Sequence, residues 1–143
     1  MRLLASTDYA LRVLMRLAAE PAALRSTEVL AREVGVPRNH LHKIVQELAA
    51  LGLVRTVRGV RGGVALAKPA EEITLGAVVR ELERDQALVA CFREDGGDCC
   101  FNPGCRLQGA LAGAREAFLR HLDRVTLARM SPAPVPDLAV QAG

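Results

Sequence analysis

Aromatic side chains are almost missing from this chain, with three Phe, one Tyr and no Trp among 143 residues. A core built on large rings is thereby excluded. Leu, Val and Ala must fill the interior, which favours helices packed at close range. Long apolar runs are missing as well. The start, MRLLASTDYALRVLMRLAAEP, looks like a signal peptide only superficially, because Asp8, Arg12 and Arg16 recur at one-turn spacing and leave no continuous apolar segment. No stretch approaches the length of a membrane span. A soluble, cytoplasmic protein without a membrane partner is expected. A strong charge of either sign is absent too, the net charge being +3 with a pI near 8.9. That balance is compatible with nucleic acid but does not require it, since local clustering matters more than the total. Hydrophobic residues still make up 50% of the chain. That is enough for one packed domain, or a small domain plus an extension, and it argues against wholesale disorder.

Cysteine is absent everywhere except in "CFREDGGDCCFNPGC", residues 91–105, which holds all four. In a reducing compartment clustered thiols more often bind metal or do redox chemistry than form structural disulfides.

Along the chain, Ser6 is placed to cap a first helix, with Asp8 in its opening turn and Ala10, Val13, Leu14 and Leu17 on one face. Asp8 here reads as a dipole-favoured acid, paired with Arg12 at i+4. Ser26 caps a second helix that Gly35 stops, and Pro37 opens a third with Leu41, Ile44, Val45 and Leu48 as its apolar face. Two β-prone runs, Leu53–Val57 and Val64–Ala67, flank "RGVRGG" and predict a hairpin. Thr74 caps a fourth helix with Leu75, Val78, Val79 and Leu82 inside. After the cysteine loop, Arg106 to about Met130 predicts a helix roughly 37 Å long, opened by Asn102-Pro103. Its stripe is Leu107, Leu111, Ala114, Phe118, Leu122 and Val125. A winged domain of this size cannot cover that length, so a second copy of the chain is the expected partner. The tail over 131–143 is Pro-rich and expected to be mobile.

"TEVLAREVGVPRNHLHKIVQ" has the layout of a helix-turn-helix. Leu30, Val34, Val36, Leu41 and Ile44 supply contacts between the two helices, and Ala31 is small where they cross. The second helix then exposes Arg38, Asn39, His40, His42 and Lys43, which suit base edges and phosphates of a major groove. Ser26 and Thr27, at the start of the preceding helix, belong to the same expected DNA face. An ordinary amphipathic hairpin would look similar. The hairpin that follows breaks the tie: "RTVRGVRGG" sets Arg55, Arg58 and Arg61 around three glycines, a basic wing suited to phosphates or a narrow minor groove.

Three or four thiols in one loop suit zinc or an iron–sulfur cluster. Zinc knuckles of the CxxC type are not present. Seven residues separate Cys91 from Cys99 and five separate Cys99 from Cys105, a wide loop able to wrap a larger cluster. Cys105 falls at the start of the last helix, where the dipole favours an anionic group.

At this point the chain resembles the NsrR/IscR family of iron–sulfur winged-helix regulators, and within it the NsrR-like branch. The resemblance runs from Met1 to about Met130 and is carried by "STDYALRVLMRLA", "VPRNHLHKIVQELAALGLVRTVRGVRGGVALAKP", "ITLGAVVRELE", the cysteine loop and "CRLQGALAGAREAFLRHLD". It implies cluster ligation by Cys91, Cys99 and Cys105, with Asp8 of the partner subunit as fourth ligand. Cys100 is an addition to the family pattern, adjacent to Cys99 and able to take nearly the same place. IscR-like members carry a histidine three residues after the last cysteine, where this chain has Gln108.

The expectation is a mainly α winged helix-turn-helix DNA-binding domain over 1–84, with a β-hairpin wing. A cluster loop over 85–105, a dimerisation helix over 106–130 and the tail complete the chain. The resemblance implies a homodimeric repressor, bound to a palindromic operator in double-stranded DNA, whose [4Fe–4S] cluster senses nitric oxide. A redox- or iron-sensing regulator with a [2Fe–2S] cluster is the nearest alternative. A thiol–disulfide enzyme is disfavoured by the lack of a CxxC at a helix start, and a structural zinc site is the remaining alternative.

Overall fold

The computed structural model describes residues 2–101 and 104–130. The expected helix opening at Asn102-Pro103 and the expected mobile tail lie outside the described residues.

Helix α1 (Ala5–Ala19) buries Thr7, Ala10, Val13, Leu14 and Leu17, the apolar stripe expected of it. Its start differs from expectation. Ser6 lies inside the helix, exposed, and Leu4 is the N-cap without a side-chain cap of its own. The acceptor comes from far along the chain: Glu83 Oε1 takes the Leu4 N–H at 2.8 Å and the Thr7 hydroxyl at 2.5 Å. A half-buried carboxylate acceptor satisfies two donors where a local serine would satisfy one.

Helices α2 (Thr27–Val34) and α3 (Arg38–Ala50) follow the local signals closely. Ser26 Oγ accepts the Val29 N–H at 3.2 Å. Gly35 ends α2 at φ 67°, and the Val36 N–H reaches back to the Ala31 carbonyl at 3.0 Å. That left-handed turn is where glycine is needed. Leu30, Ala31, Val34, Val36, Leu41 and Ile44 are all buried between the helices.

Strands β1 (Val54–Val57) and β2 (Gly63–Leu66) pair antiparallel, Val54 opposite Leu66 and Val57 opposite Gly63. A third segment braces the hairpin: Arg25 exchanges both backbone hydrogen bonds with Val64, at 3.0 and 2.8 Å. The approach is so close that a Cβ on Gly63 would stand 2.7 Å from the Arg25 carbonyl oxygen.

Thr74 caps α4 (Leu75–Leu82) through the Ala77 N–H at 3.3 Å. Helix α5 runs from Arg106 to Asp123, 18 residues or about 27 Å rather than the expected 37 Å. Past Arg124 the chain turns back to the core. The Val125 carbonyl accepts from Leu75, the Leu127 N–H donates to Ile73 at 2.8 Å, and the Leu127 side chain is fully buried. β-branched Val125 and Thr126 weaken helix continuation, and burial of Leu127 rewards the turn. Val125 is therefore off the helical stripe, and only Leu119 of α5 is buried within its own chain. Leu107 stands 63% exposed, Ala114 is exposed, and Leu111, Phe118 and Leu122 are half-covered.

Candidate DNA interface and metal centre

The candidate DNA residues form an exposed surface on the frame just described. Arg38, Asn39, His40, His42 and Lys43 all stand exposed at the start of α3, while Leu41 between them is fully buried. The buried Leu41 fixes which way its neighbours face. Arg55, Arg58 and Arg61 are exposed along the wing, Ser26 is exposed and Thr27 half-buried at the start of α2. Behind this surface, Arg25 pairs with Glu20 and Glu33, and Arg16 pairs with the same two acids. This network ties α1, α2 and the base of the wing into one body. The Arg16 hydrogen bond, with help from Arg25, holds the Glu20 carboxyl below its ordinary value.

A feature not apparent in the sequence links α1 to the recognition helix. The Asp8 carboxylate holds Arg12 at 2.5 Å, the Arg12 guanidinium lies 5.5 Å over the Tyr9 ring, and that ring stands 6.5 Å from His40 on α3. Tyr9 is the lone tyrosine of the chain; its rarity was the sole signal that could have found it.

Cys91, Cys99 and Cys105 are partly buried and Cys100 is exposed. Cys91 sits in a short 3-10 turn, Ala90–Phe92, and Cys105 is the N-cap residue of α5 rather than a member of its first turn. The loop folds back on itself where Gly97, at φ 56°, packs against the Ala90 carbonyl so closely that a Cβ would collide with it. Gln108, at the position of the IscR-type histidine, donates to the Cys91 carbonyl at 3.3 Å. It fastens the loop to α5 by the backbone and leaves the thiol free. Arg80, Arg84 and Arg115 line a cleft of about 640 Å³ that Cys91 also borders. The Arg80 guanidinium, bonded to Asp123 at 2.5 Å, is held above its ordinary value.

Among the described residues, no three His, Cys, Asp or Glu side chains converge as a ready-made metal centre. Asp8 is engaged with Arg12. The donor set is nonetheless one that suits iron and sulfide: three partly shielded thiols in one loop, with Cys105 at the N-terminus of α5. Metal binding itself draws such ligands together, because it is coupled to folding.

A helix-turn-helix with a basic, braced wing and a largely uncovered long helix defines a winged-helix transcriptional regulator. Residues 3–133 match the Rrf2 family model, described as iron-dependent transcriptional regulators, and the chain belongs to that family. It is 47% identical over 129 residues to the HTH-type transcriptional regulator NsrR of Geobacillus kaustophilus, covering 90% of this chain and 88% of the relative. The NsrR of Halalkalibacterium halodurans is 44% identical, over 89% and 88% of the two chains. Among solved structures, Staphylococcus aureus CymR in its oxidized form superposes with a TM-score of 0.71 at 28% identity, over 95% of this chain and all of that one. IscR of T. potens superposes at 0.73 with 24% identity, covering 91% and 85%, and supports the fold. The relatives are DNA-binding transcriptional regulators, which removes the thiol–disulfide enzyme reading. No helix among the described residues is long and apolar enough to cross a membrane.

Proposed function

We propose that the chain is a homodimeric repressor whose [4Fe–4S] cluster senses nitric oxide and so controls operator binding. Cys91, Cys99 and Cys105 hold the cluster, with Asp8 of the partner subunit as fourth ligand. The observation that carries this reading is one loop holding three partly buried thiols, the last of them at the N-terminus of α5, a helix whose apolar stripe its own chain leaves largely uncovered. The NsrR-type relatives, 42–47% identical over about nine-tenths of the chain, support it.

When bound, the cluster supplies an iron on which nitric oxide acts, and the iron held by a hard carboxylate beside soft thiolates is its natural point of attack. The rest belongs to this chain. Ligation by Asp8 ties the first turn of α1 to the partner's cysteine loop and so fixes the spacing of two reading heads on a palindrome. An Asp8 carboxylate not held by iron would have Arg12 one turn on as its partner, the pair the structure shows. Arg12 stacks on Tyr9, and Tyr9 abuts His40. The Asp8 carboxylate would thus connect the cluster it helps to hold with the recognition helix, through Arg12 and Tyr9, as a two-state element biased by the ligand.

A second reading, an iron-supply or redox sensor with a [2Fe–2S] cluster, draws on the family description as iron-dependent regulators. Anaerobically purified protein decides between them. Iron and sulfide analysis with an absorption spectrum should report about four of each per chain. Substoichiometric nitric oxide should then release operator DNA. Zinc in place of iron, or DNA binding indifferent to nitric oxide, rejects the proposal.

A further inference from the structure

The tip of the wing carries a valine with nothing around it. Val60 is 106% exposed, the most exposed large hydrophobic among the described residues. Scattered surface hydrophobics are ordinary, but this one is held out by a built turn. The Gly62 N–H closes on the Gly59 carbonyl at 2.9 Å, Gly59 sits at φ 110°, and a Cβ on Gly62 would run into the Val57 carbonyl. Both glycines are thus required by the turn, which places Val60 and Arg61 at its apex. The base of the hairpin is pinned by the Arg25–Val64 backbone pair. The tip is a hydrogen-bonded prong on a braced hairpin.

Its surroundings select its partner. Between Glu47 and Glu71 the chain has no carboxylate and four cations, Arg55, Arg58, Arg61 and Lys68. A methyl-tipped prong inside a wholly cationic wing complements a groove with anionic walls and a floor that an apolar group can touch. The minor groove over A·T pairs has that character: it is narrow, electronegative, and displays acceptors without a donor. G·C pairs add the guanine N2 amino group in the middle of the floor. Valine cannot accept its hydrogen bond, and the group protrudes where the methyls would lie.

We propose that Val60 is a specificity-determining residue, inserted into the minor groove flanking the recognition-helix contacts, where it rejects guanine. The wing is then a reader of the operator's flanks as well as a clamp on phosphate. This inference rests on the winged-helix reading of DNA binding, and its test separates the two.

An operator is first obtained by selecting the full-length, anaerobically loaded protein against random duplexes. Failure to select any sequence would sink the DNA-binding reading itself. In the selected operator, flanking A·T pairs facing the wing are changed to G·C, to inosine·C, which lacks the amino group, or to 2,6-diaminopurine·T, which adds only that group. Binding should weaken about tenfold with G·C and with diaminopurine, and recover with inosine. Val60→Ala and Val60→Gly, at a fully exposed site where folding is not at stake, should bind all four duplexes within about twofold of one another. Arg61→Ala should lower the salt slope by about one and keep the discrimination. Wild-type protein indifferent to the amino group, or Val60→Gly discriminating as wild type does, would overturn the assignment.

Discussion

Glu83 Oε1 accepts the Thr7 hydroxyl at 2.5 Å, so the residue that closes α4 and leads into the cysteine loop also caps the first turn of α1. The same oxygen takes the Leu4 N–H. Thr7 is fully buried, and Asp8 follows it in the same turn. Glu83→Ala leaves a buried hydroxyl and a backbone N–H without an acceptor, at a cost of about 1–3 kcal/mol. Glu83→Gln keeps a carbonyl acceptor and should cost less. Urea unfolding monitored by circular dichroism measures both. Equal losses in the two variants would mean that the carboxylate acts through its charge and not as a cap.

The uncovered stripe on α5 is testable by charge. Leu111→Glu or Phe118→Glu would place an unpaired carboxylate inside a dimer seam, which costs far more than a lost contact. Both side chains are only half-covered in the single chain, so the subunit itself should stay folded. Sedimentation should report monomers with weak operator binding. A tight dimer carrying either substitution would place the seam elsewhere.

Those two sites show where the sequence was legible. Ser26, Gly35, Pro37 and Thr74 act within a few residues of themselves, so α2, α3 and α4 could be read from capping and turn chemistry alone. Glu83 caps α1 from 79 and 76 residues away, and no local pattern announces it. Leu127 fell inside the helix expected to reach Met130, since no proline interrupts it, whereas its own burial and its N–H bond to the Ile73 carbonyl won it for the core. The candidate site divides the same way. The thiols are visible as a cluster in sequence; the Gln108 bond to the Cys91 carbonyl and the Tyr9 contact with His40 arise from packing between elements.

Recognition helix and wing should separate by kind of effect. Lys43→Ala or Arg58→Ala, as phosphate contacts, should weaken binding to all sequences and reduce the salt slope by about one each. Asn39→Ala, as a base reader, should relax preference at one operator position. Fluorescence anisotropy over a salt series, on operator and on unrelated duplex, distinguishes the two. Unchanged binding in all three variants would move the DNA surface off this face.

The ion-pair network behind the wing predicts an acid limb. Arg16 first, then Arg25, holds Glu20 below its ordinary 4.5. A depressed carboxylate contributes stability that is present above its unfolded value and is lost as pH falls through the folded one. Glu20→Gln should therefore lower the urea midpoint slightly at pH 7, and the difference should shrink as pH drops below 4.5 and vanish once the folded carboxyl is protonated. A difference that persists at about pH 2, below both values, would assign the effect to packing instead of charge.

The ligand set is decided by Asp8 and the four cysteines together. Changing Cys91, Cys99 or Cys105 to Ala should each abolish cluster retention, because two remaining thiolates hold a cluster poorly. Cys100→Ala, at the exposed thiol, should leave cluster and operator binding largely intact. Asp8→Ala should differ from both groups. Three thiolates retain the inorganic core and its colour, yet the tie to the partner is lost, so operator affinity should fall towards that of cluster-free protein. Mixed dimers then test the geometry. One chain carries Asp8→Ala and the other Cys99→Ala. If Asp8 reaches across the seam, the intact cysteines of the first chain face the intact Asp8 of the second, and one normal site forms per dimer. If Asp8 acts within its own chain, the first chain lacks the carboxylate, the second lacks a thiol, and no normal site forms. Iron content confirms one core per purified heterodimer, and operator affinity, compared with wild type and with the Asp8→Ala homodimer, tells whether that site has its carboxylate and counts as normal. A count of zero normal sites rejects Asp8 as a ligand donated between subunits.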